Sequence, residues 1–208
     1  MTPIDLKTWK RNEHFEFFSG MASPFFGITA EVDCTTAHKK AKRSGESFFA
    51  HYLHKSMLAV NSVEELKYRI TGEEVVVCDK VHAGATIGRP DGTFGLIFVH
   101  FSRDFETFKR ELESEIMAVK NSNGLRLNNE DAKIDLVRYS TIPWTSFTAL
   151  LHPSRLDKSE SVPKITFGKF TVRGDRKFLP VSVEAHHGLA DGFHLAKYLT
   201  TFQQELDR

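Results

Sequence analysis

Cysteine is almost missing from this chain: Cys34 and Cys78 are the only two in 208 residues. Two thiols cannot build the disulfide framework of a secreted protein, so the composition points to a reducing compartment, the cytoplasm, with both thiols in the core. Long apolar runs are missing too. Nothing approaches the roughly 18 consecutive apolar residues of a membrane span, and the opening MTPIDLKTWK lacks the apolar segment of a secretory leader. Neither sign of charge is in excess, with 28 Lys and Arg against 27 Asp and Glu for a net +1. Such a balance makes no field for a polyanion, so nucleic acid is not an expected partner. No G-x-G-x-x-G or Walker loop precedes a helix, which removes the phosphate cradle of nucleotide-binding folds, and there are no internal repeats.

What is present is enough apolar material, 40% of residues, to bury the core of one domain spanning residues 1–208. The 18 phenylalanines fill such a core and also suit a pocket for a flat, apolar ligand. The stretch WKRNEHFEFF reads as a short helix or turn capped by Thr8, and FFGITAEVDCT as an extended segment. In ESFFAHYLHKSMLAVN the residues Phe49, Tyr52, Leu53, Ser56, Met57 and Val60 recur at helical spacing. There His51 and His54, three apart beside Lys55, read as a solvated face in preference to a shared metal site. The runs EEVVVCDKV and TFGLIFVHF read as neighbouring strands with the turn residues RPDG between them. SRDFETFKRELESEIMAVKNSNG reads as a helix with Phe105, Phe108, Leu112, Ile116 and Val119 on one side and Gly124 past its end. KIDLVRYSTIPW and SFTALLH read as strands separated near Pro143, and residues 154–163 as a loop. KITFGKFTV and KFLPVSVEAHH form a hairpin turning at Gly174 and Asp175, and FHLAKYLTTFQQELDR is a final helix. Strands and helices mixed in this way predict an α/β fold, a two-layer α/β sandwich with a mixed β-sheet.

Ionisable residues crowd into HHGLADGFH at residues 186–194. Period-two alternation puts Val181, Val183, Ala185 and His187 on one face of the last strand, with Ser182, Glu184 and His186 on the other. An imidazole on the apolar side is desolvated, which penalises imidazolium and leaves a neutral ring able to accept a proton. His187 is therefore a general base or a structural histidine bonded to backbone. Asp191, just before Gly192 and the final helix, is an N-cap or the partner of a cation. A metal held by His187, Asp191 and His194 would match no standard zinc spacing, and none is expected.

HHGLADG matches the H-H-x-x-x-D-G signature of the chloramphenicol acetyltransferase family, shared with dihydrolipoyl acyltransferase catalytic domains and related condensing enzymes. Residues 9–15, WKRNEHF, resemble the family's N-terminal W-x-R-x-x-x-F. YSTIPW resembles the strand that keeps a serine four residues before a tryptophan, and KITFGK the segment holding a threonine near the pantetheine arm. The resemblance covers essentially the whole chain. It implies a trimer of α/β subunits in which acetyl-CoA, as co-substrate, and an acceptor alcohol enter a tunnel at each subunit interface, with no permanently bound cofactor.

By the same resemblance His187 is the catalytic base, Ser140 donates to the oxyanion, and Arg11 and Asp191 form a buried structural ion pair. Thr166 and Lys169 belong to the acetyl-CoA side, and Phe18, Phe26, Phe94 and Leu150 to the acceptor wall. The implied reaction is direct transfer of acetyl to a hydroxyl of chloramphenicol or a similar aryl alcohol. Phe18 stands where relatives often carry tyrosine, and TALLHP, with His152, replaces a more aromatic stretch, so an altered pocket is expected. Two other readings are a free-standing dihydrolipoyl-type acyltransferase domain, weakened by W-x-R-x-x-x-F, and a non-catalytic trimeric small-molecule binder, opposed by the presence of both His187 and Ser140.

Overall fold

A computed structural model of the chain describes residues 1–127, 133–153 and 159–208. Of the loop expected over residues 154–163, positions 154–158 lie outside the described residues. The chain opens with β1 (Thr2–Pro3) and helix α1 (Asn12–Ser19). Arg11 stands at the N-cap of α1 with no side-chain cap bond. Thr8, the expected cap, instead bonds to Asp5 in the turn before the helix. After β2 (Phe25–Asp33) comes α2 (Thr35–Ser44), which the hydropathy pattern hid because its only buried residues are Ala37 and Ala41. Two alanines give almost no periodic signal.

Helix α3 (Phe48–Asn61) starts at Ser47, whose hydroxyl accepts the Ala50 N–H. It is buried nearly all round, so the solvated face expected at His51, His54 and Lys55 is wrong. His51 pairs with Glu46 at 2.8 Å, and His54 Nε2 lies 3.0 Å from the Ser102 carbonyl. Each polar group finds a partner inside the fold, which is the condition for burying it. Next, β3 (Tyr68–Thr71) and β4 (Glu74–Val77) join β1 in a small sheet ordered β1-β4-β3.

The strand β5 (His82–Gly88) pairs with β6 (Phe94–Val99). The expected pairing of EEVVVCDKV with TFGLIFVHF is therefore overturned. Each run pairs with its nearest extended neighbour, and alternation alone does not choose a partner. The remaining elements are α4 (Phe105–Lys120), β7 (Leu136–Ile142), β8 (Lys164–Gly168), β9 (Thr171–Arg173), β10 (Arg176–His186) and α5 (Gly192–Asp207). SFTALLH is irregular rather than a strand. It is pinned by Phe147, whose ring would come within 2.8 Å of a Cβ at Gly168.

The main sheet has seven strands in the order β2-β10-β8-β7-β5-β6, with β9 paired to β10. β7 runs parallel to β5 and β8, and the other pairs are antiparallel. Register aligns Ile28, Val183, Ile165 and Tyr139 in one row and Gly27, Glu184, Lys164 and Arg138 in the next. Successive residues point to opposite faces. The apolar rows pack on Leu53, Met57, Tyr198 and Phe202 of α3 and α5, each such side chain contributing about 1.5 to 3 kcal/mol by burial. This is the two-layer sandwich with a mixed sheet, and its second face carries the polar rows. Among the described residues no helix is long and apolar enough to cross a membrane.

Candidate active site

β10 ends at His186, so His187 is the first residue beyond the strand, its N–H donating to the Pro24 carbonyl at 2.8 Å. The His187 ring lies between two phenyl rings: Phe18 at 4.0 Å between centroids and 6° between planes, and Phe26 at 4.2 Å and 28°. Apolar rings covering both faces fix the imidazole plane and leave only its edge for a proton to arrive or leave. Nδ1 is buried and has no hydrogen-bond partner among the described residues.

The fully buried histidine is His186, 1% exposed, whereas His187 is half-buried. That corrects the expectation from alternation, which carried the strand one residue too far. Desolvation, with a smaller push from His187, lowers the His186 pKa to about 4. Its Nδ1 accepts the Gly188 N–H at 3.1 Å, and its Nε2 is buried without a partner among the described residues. Any residue but glycine at 188 would put a Cβ 3.0 Å from the Phe15 backbone and 3.1 Å from the His186 ring. The chain therefore turns tightly just after the two histidines, with His186 against Phe15 and Phe25 and His187 against Phe18 and Phe26.

Arg11 reaches the same turn from the other end of the chain. Its Nη1 donates to Asp191 Oδ2 at 2.7 Å and its Nη2 to the His187 carbonyl at 3.1 Å. Asp191 is also the N-cap of α5, accepting the Phe193 N–H at 3.0 Å, while His194 Nδ1 accepts the Asp191 N–H at 3.0 Å. Cap and cation partner are thus one residue. Burial raises the Asp191 carboxyl, but the Arg11 hydrogen bond and the charges of His194 and Arg11 outweigh it and hold the group below its ordinary value. The pair is less buried than expected, with the Arg11 side chain 14% and the Asp191 side chain 35% exposed. A carboxylate capping a helix sits at its open end, where water reaches it.

Ser140 lies on β7 in register with Thr166, which faces Ser182 and then Thr29 across the sheet. Its Oγ is 3.4 Å from Thr86 Oγ1, and it lines a cavity of about 340 Å³ with Thr86, Arg138 and Lys164. Ser140 and His187 are separated by two strand spacings and the stretch of β10 beyond Ser182, on the order of 15 to 20 Å. One chain therefore does not bring both to one reacting atom.

Thr166 is fully buried, with Oγ1 2.6 Å from His152 Nε2, and His152 Nδ1 lies 2.7 Å from Glu184 Oε1. Sequence reasoning gave Glu184 no role. Its one signal was Gly27 opposite, where a Cβ would come 2.8 Å from Glu184 Cγ. Phe26 and Leu150 line a second cavity of about 500 Å³ together with His152, Ser182 and Glu184. Lys169 is exposed just past β8. Phe94, 47% exposed, sits on β6 at the far edge of the sheet and lines neither cavity. Among the described residues no three His, Cys, Asp or Glu side chains converge to hold a metal.

A family model described as chloramphenicol acetyltransferase matches residues 1–203. Chloramphenicol acetyltransferase 3 of Escherichia coli is 30% identical over 98% of this chain and 95% of its own length. A solved structure of a chloramphenicol acetyltransferase superposes with a TM-score of 0.92 at 31% identity, covering 98% of each chain. A structure of a probable dihydrolipoamide acetyltransferase from Listeria monocytogenes shares the fold alone, with a TM-score of 0.68 at 13% identity over 100% of this chain and 94% of that one. Fold, whole-length similarity and family match agree: the chain belongs to the chloramphenicol acetyltransferase family and is an acyltransferase of that family.

Proposed function

We propose that the chain is a single-domain, cytoplasmic, acetyl-CoA-dependent O-acetyltransferase acting on chloramphenicol or a similar aryl alcohol, and so an antibiotic-resistance enzyme. The observation that carries this reading is the His187 imidazole held edge-out between Phe18 and Phe26. In a ternary complex that edge takes the proton of the acceptor hydroxyl as its oxygen attacks the thioester carbonyl. The tetrahedral intermediate then collapses, the C–S bond breaks, and the leaving thiolate takes the proton back from His187. Ser140 donates its hydroxyl to the oxyanion of that intermediate.

The separation of Ser140 from His187 within one chain supports a site built between copies, with His187 from one subunit and Ser140 from the next in a homotrimer. Arg11 and Asp191 position the His187 turn. Thr166 and the exposed Lys169 serve acetyl-CoA, the ammonium suiting its phosphates as a point charge. Phe18, Phe26 and Leu150 pack the acceptor ring, and Phe94, exposed on an edge strand, adds to the wall from a neighbouring copy. No resident cofactor or metal takes part.

The test is release of CoA thiol from acetyl-CoA with a panel of acceptor alcohols, together with the sedimentation mass of the active species. Acetylated chloramphenicol made by a particle near three times the 23.7 kDa chain supports the reading. A monomer as the active species, or no transfer to any hydroxyl, overturns it.

A further inference from the structure

Among the described residues His152 is the one that lines both the cavity beside Ser140 and the cavity beside Phe26. It belongs to an irregular segment, yet three bonds fix it. Its backbone N–H and its Nδ1 both meet Glu184 Oε1, at 3.2 and 2.7 Å, and its Nε2 meets Thr166 Oγ1 at 2.6 Å. Glu184 Oε1 is the acceptor of the His152 backbone N–H, and with Nδ1 on the same oxygen and Nε2 on Thr166 the ring plane is set from both ends. The side chains of His152 and Glu184 are 15% and 8% exposed, and Gly27 opposite leaves the room that Glu184 occupies. Around them the Phe26 cavity has a polar floor, where Thr29 donates to Ser182 at 3.2 Å, and apolar sides including Phe25 and Leu150.

We propose that the Glu184–His152 pair is the specificity determinant of the acceptor site. It stands between the two cavities on the sheet face, and it selects a hydroxylated acceptor that carries a second hydrogen-bonding group, an amide or a further hydroxyl, at the end seated against the pair. Glu184 Oε1 takes both His152 bonds, and Oε2 accepts no hydrogen bond among the described residues, so an acceptor with a wholly apolar far end would cover that oxygen without compensation, which is costly in a desolvated site. A long acceptor collides with His152.

This inference rests on the acyl-transfer reading, so the experiment first confirms that the wild-type protein transfers acetyl to hydroxyls. Failure at that step rejects the acyl-transfer reading and removes the inference with it. The selectivity test then uses matched acceptor alcohols with and without the second polar group, assayed on wild type, Glu184→Gln and His152→Phe, each first checked for native circular dichroism. The wild type should favour the polar acceptor in kcat/KM. His152→Phe should shift that ratio at least tenfold toward the apolar acceptor, mostly through KM. Glu184→Gln, whose amide oxygen still accepts the His152 N–H, should shift it less. If the ratio is unchanged in both variants, or all acceptors fall in parallel, the pair only supports the fold and the proposal fails. Should His152→Phe not fold, His152→Gln carries the same comparison and the same criterion.

Discussion

Arg11 donates to the backbone carbonyl of His187 at 3.1 Å, so a residue just ahead of the first helix fixes the residue just after the last strand. The same guanidinium holds Asp191 at 2.7 Å, and Asp191 in turn caps α5. One side chain thus ties the chain's N-terminal segment, the end of β10 and the start of α5 into the turn that carries the candidate base.

A double-mutant cycle measures that tie. With the Asp191 carboxylate partly open to water, solvent screening discounts the pair, and Arg11→Ala with Asp191→Ala should show a coupling of about 1 to 3 kcal/mol in urea unfolding. Each single variant should also lose turnover, because the His187 carbonyl or the cap is released. Strict additivity would show that the two side chains act independently.

His186 predicts an acid sensitivity of definite sign. Its folded pKa of about 4 lies below the ordinary histidine value of 6.5, so between those values the unfolded chain binds a proton that the folded chain does not. Stability is therefore complete above pH 6.5 and falls as the pH drops toward 4, by about 3 kcal/mol over that window. Denaturant unfolding of wild type and His186→Asn between pH 7 and 4.5 checks this. The variant should show a visibly flatter slope, and equal slopes would mean that His186 titrates alike in both states.

The two ends of the chain show what a sequence can and cannot disclose. The signature HHGLADG, the long helices α3, α4 and α5, and the hairpin at Gly174 were legible because each is local: a period, a turn residue or a short motif. The helix α2 was not, since alanines bury little. The partner of β4 was not, because register depends on which neighbour the fold brings near. Around the candidate site, the pairing of Arg11 with Asp191 was legible from the resemblance. The Glu184–His152–Thr166 chain was not, because an irregular segment crossing a sheet face leaves no periodicity, and only the glycine at 27 hinted at the close approach.

His187→Ala should fold normally and lower turnover by roughly 10² to 10⁴, the range for loss of a general base. Ser140→Ala should lower it by about 10² to 10³ while leaving the KM for acetyl-CoA nearly unchanged. Steady-state kinetics of the purified variants decide both. Turnover of either within twofold of wild type removes that residue from the chemistry.

The central claim is that His187 and Ser140, too far apart in one chain, meet between copies. Complementation tests it most directly: inactive His187→Ala and Ser140→Ala chains are mixed, unfolded and refolded together, and CoA release is measured with acetyl-CoA and an acceptor alcohol. Random assembly of equal amounts leaves about a quarter of interfaces with both residues intact, so the account predicts recovery to about a quarter of wild-type activity. Hybrid assemblies that form but stay as inactive as their parents would contradict it.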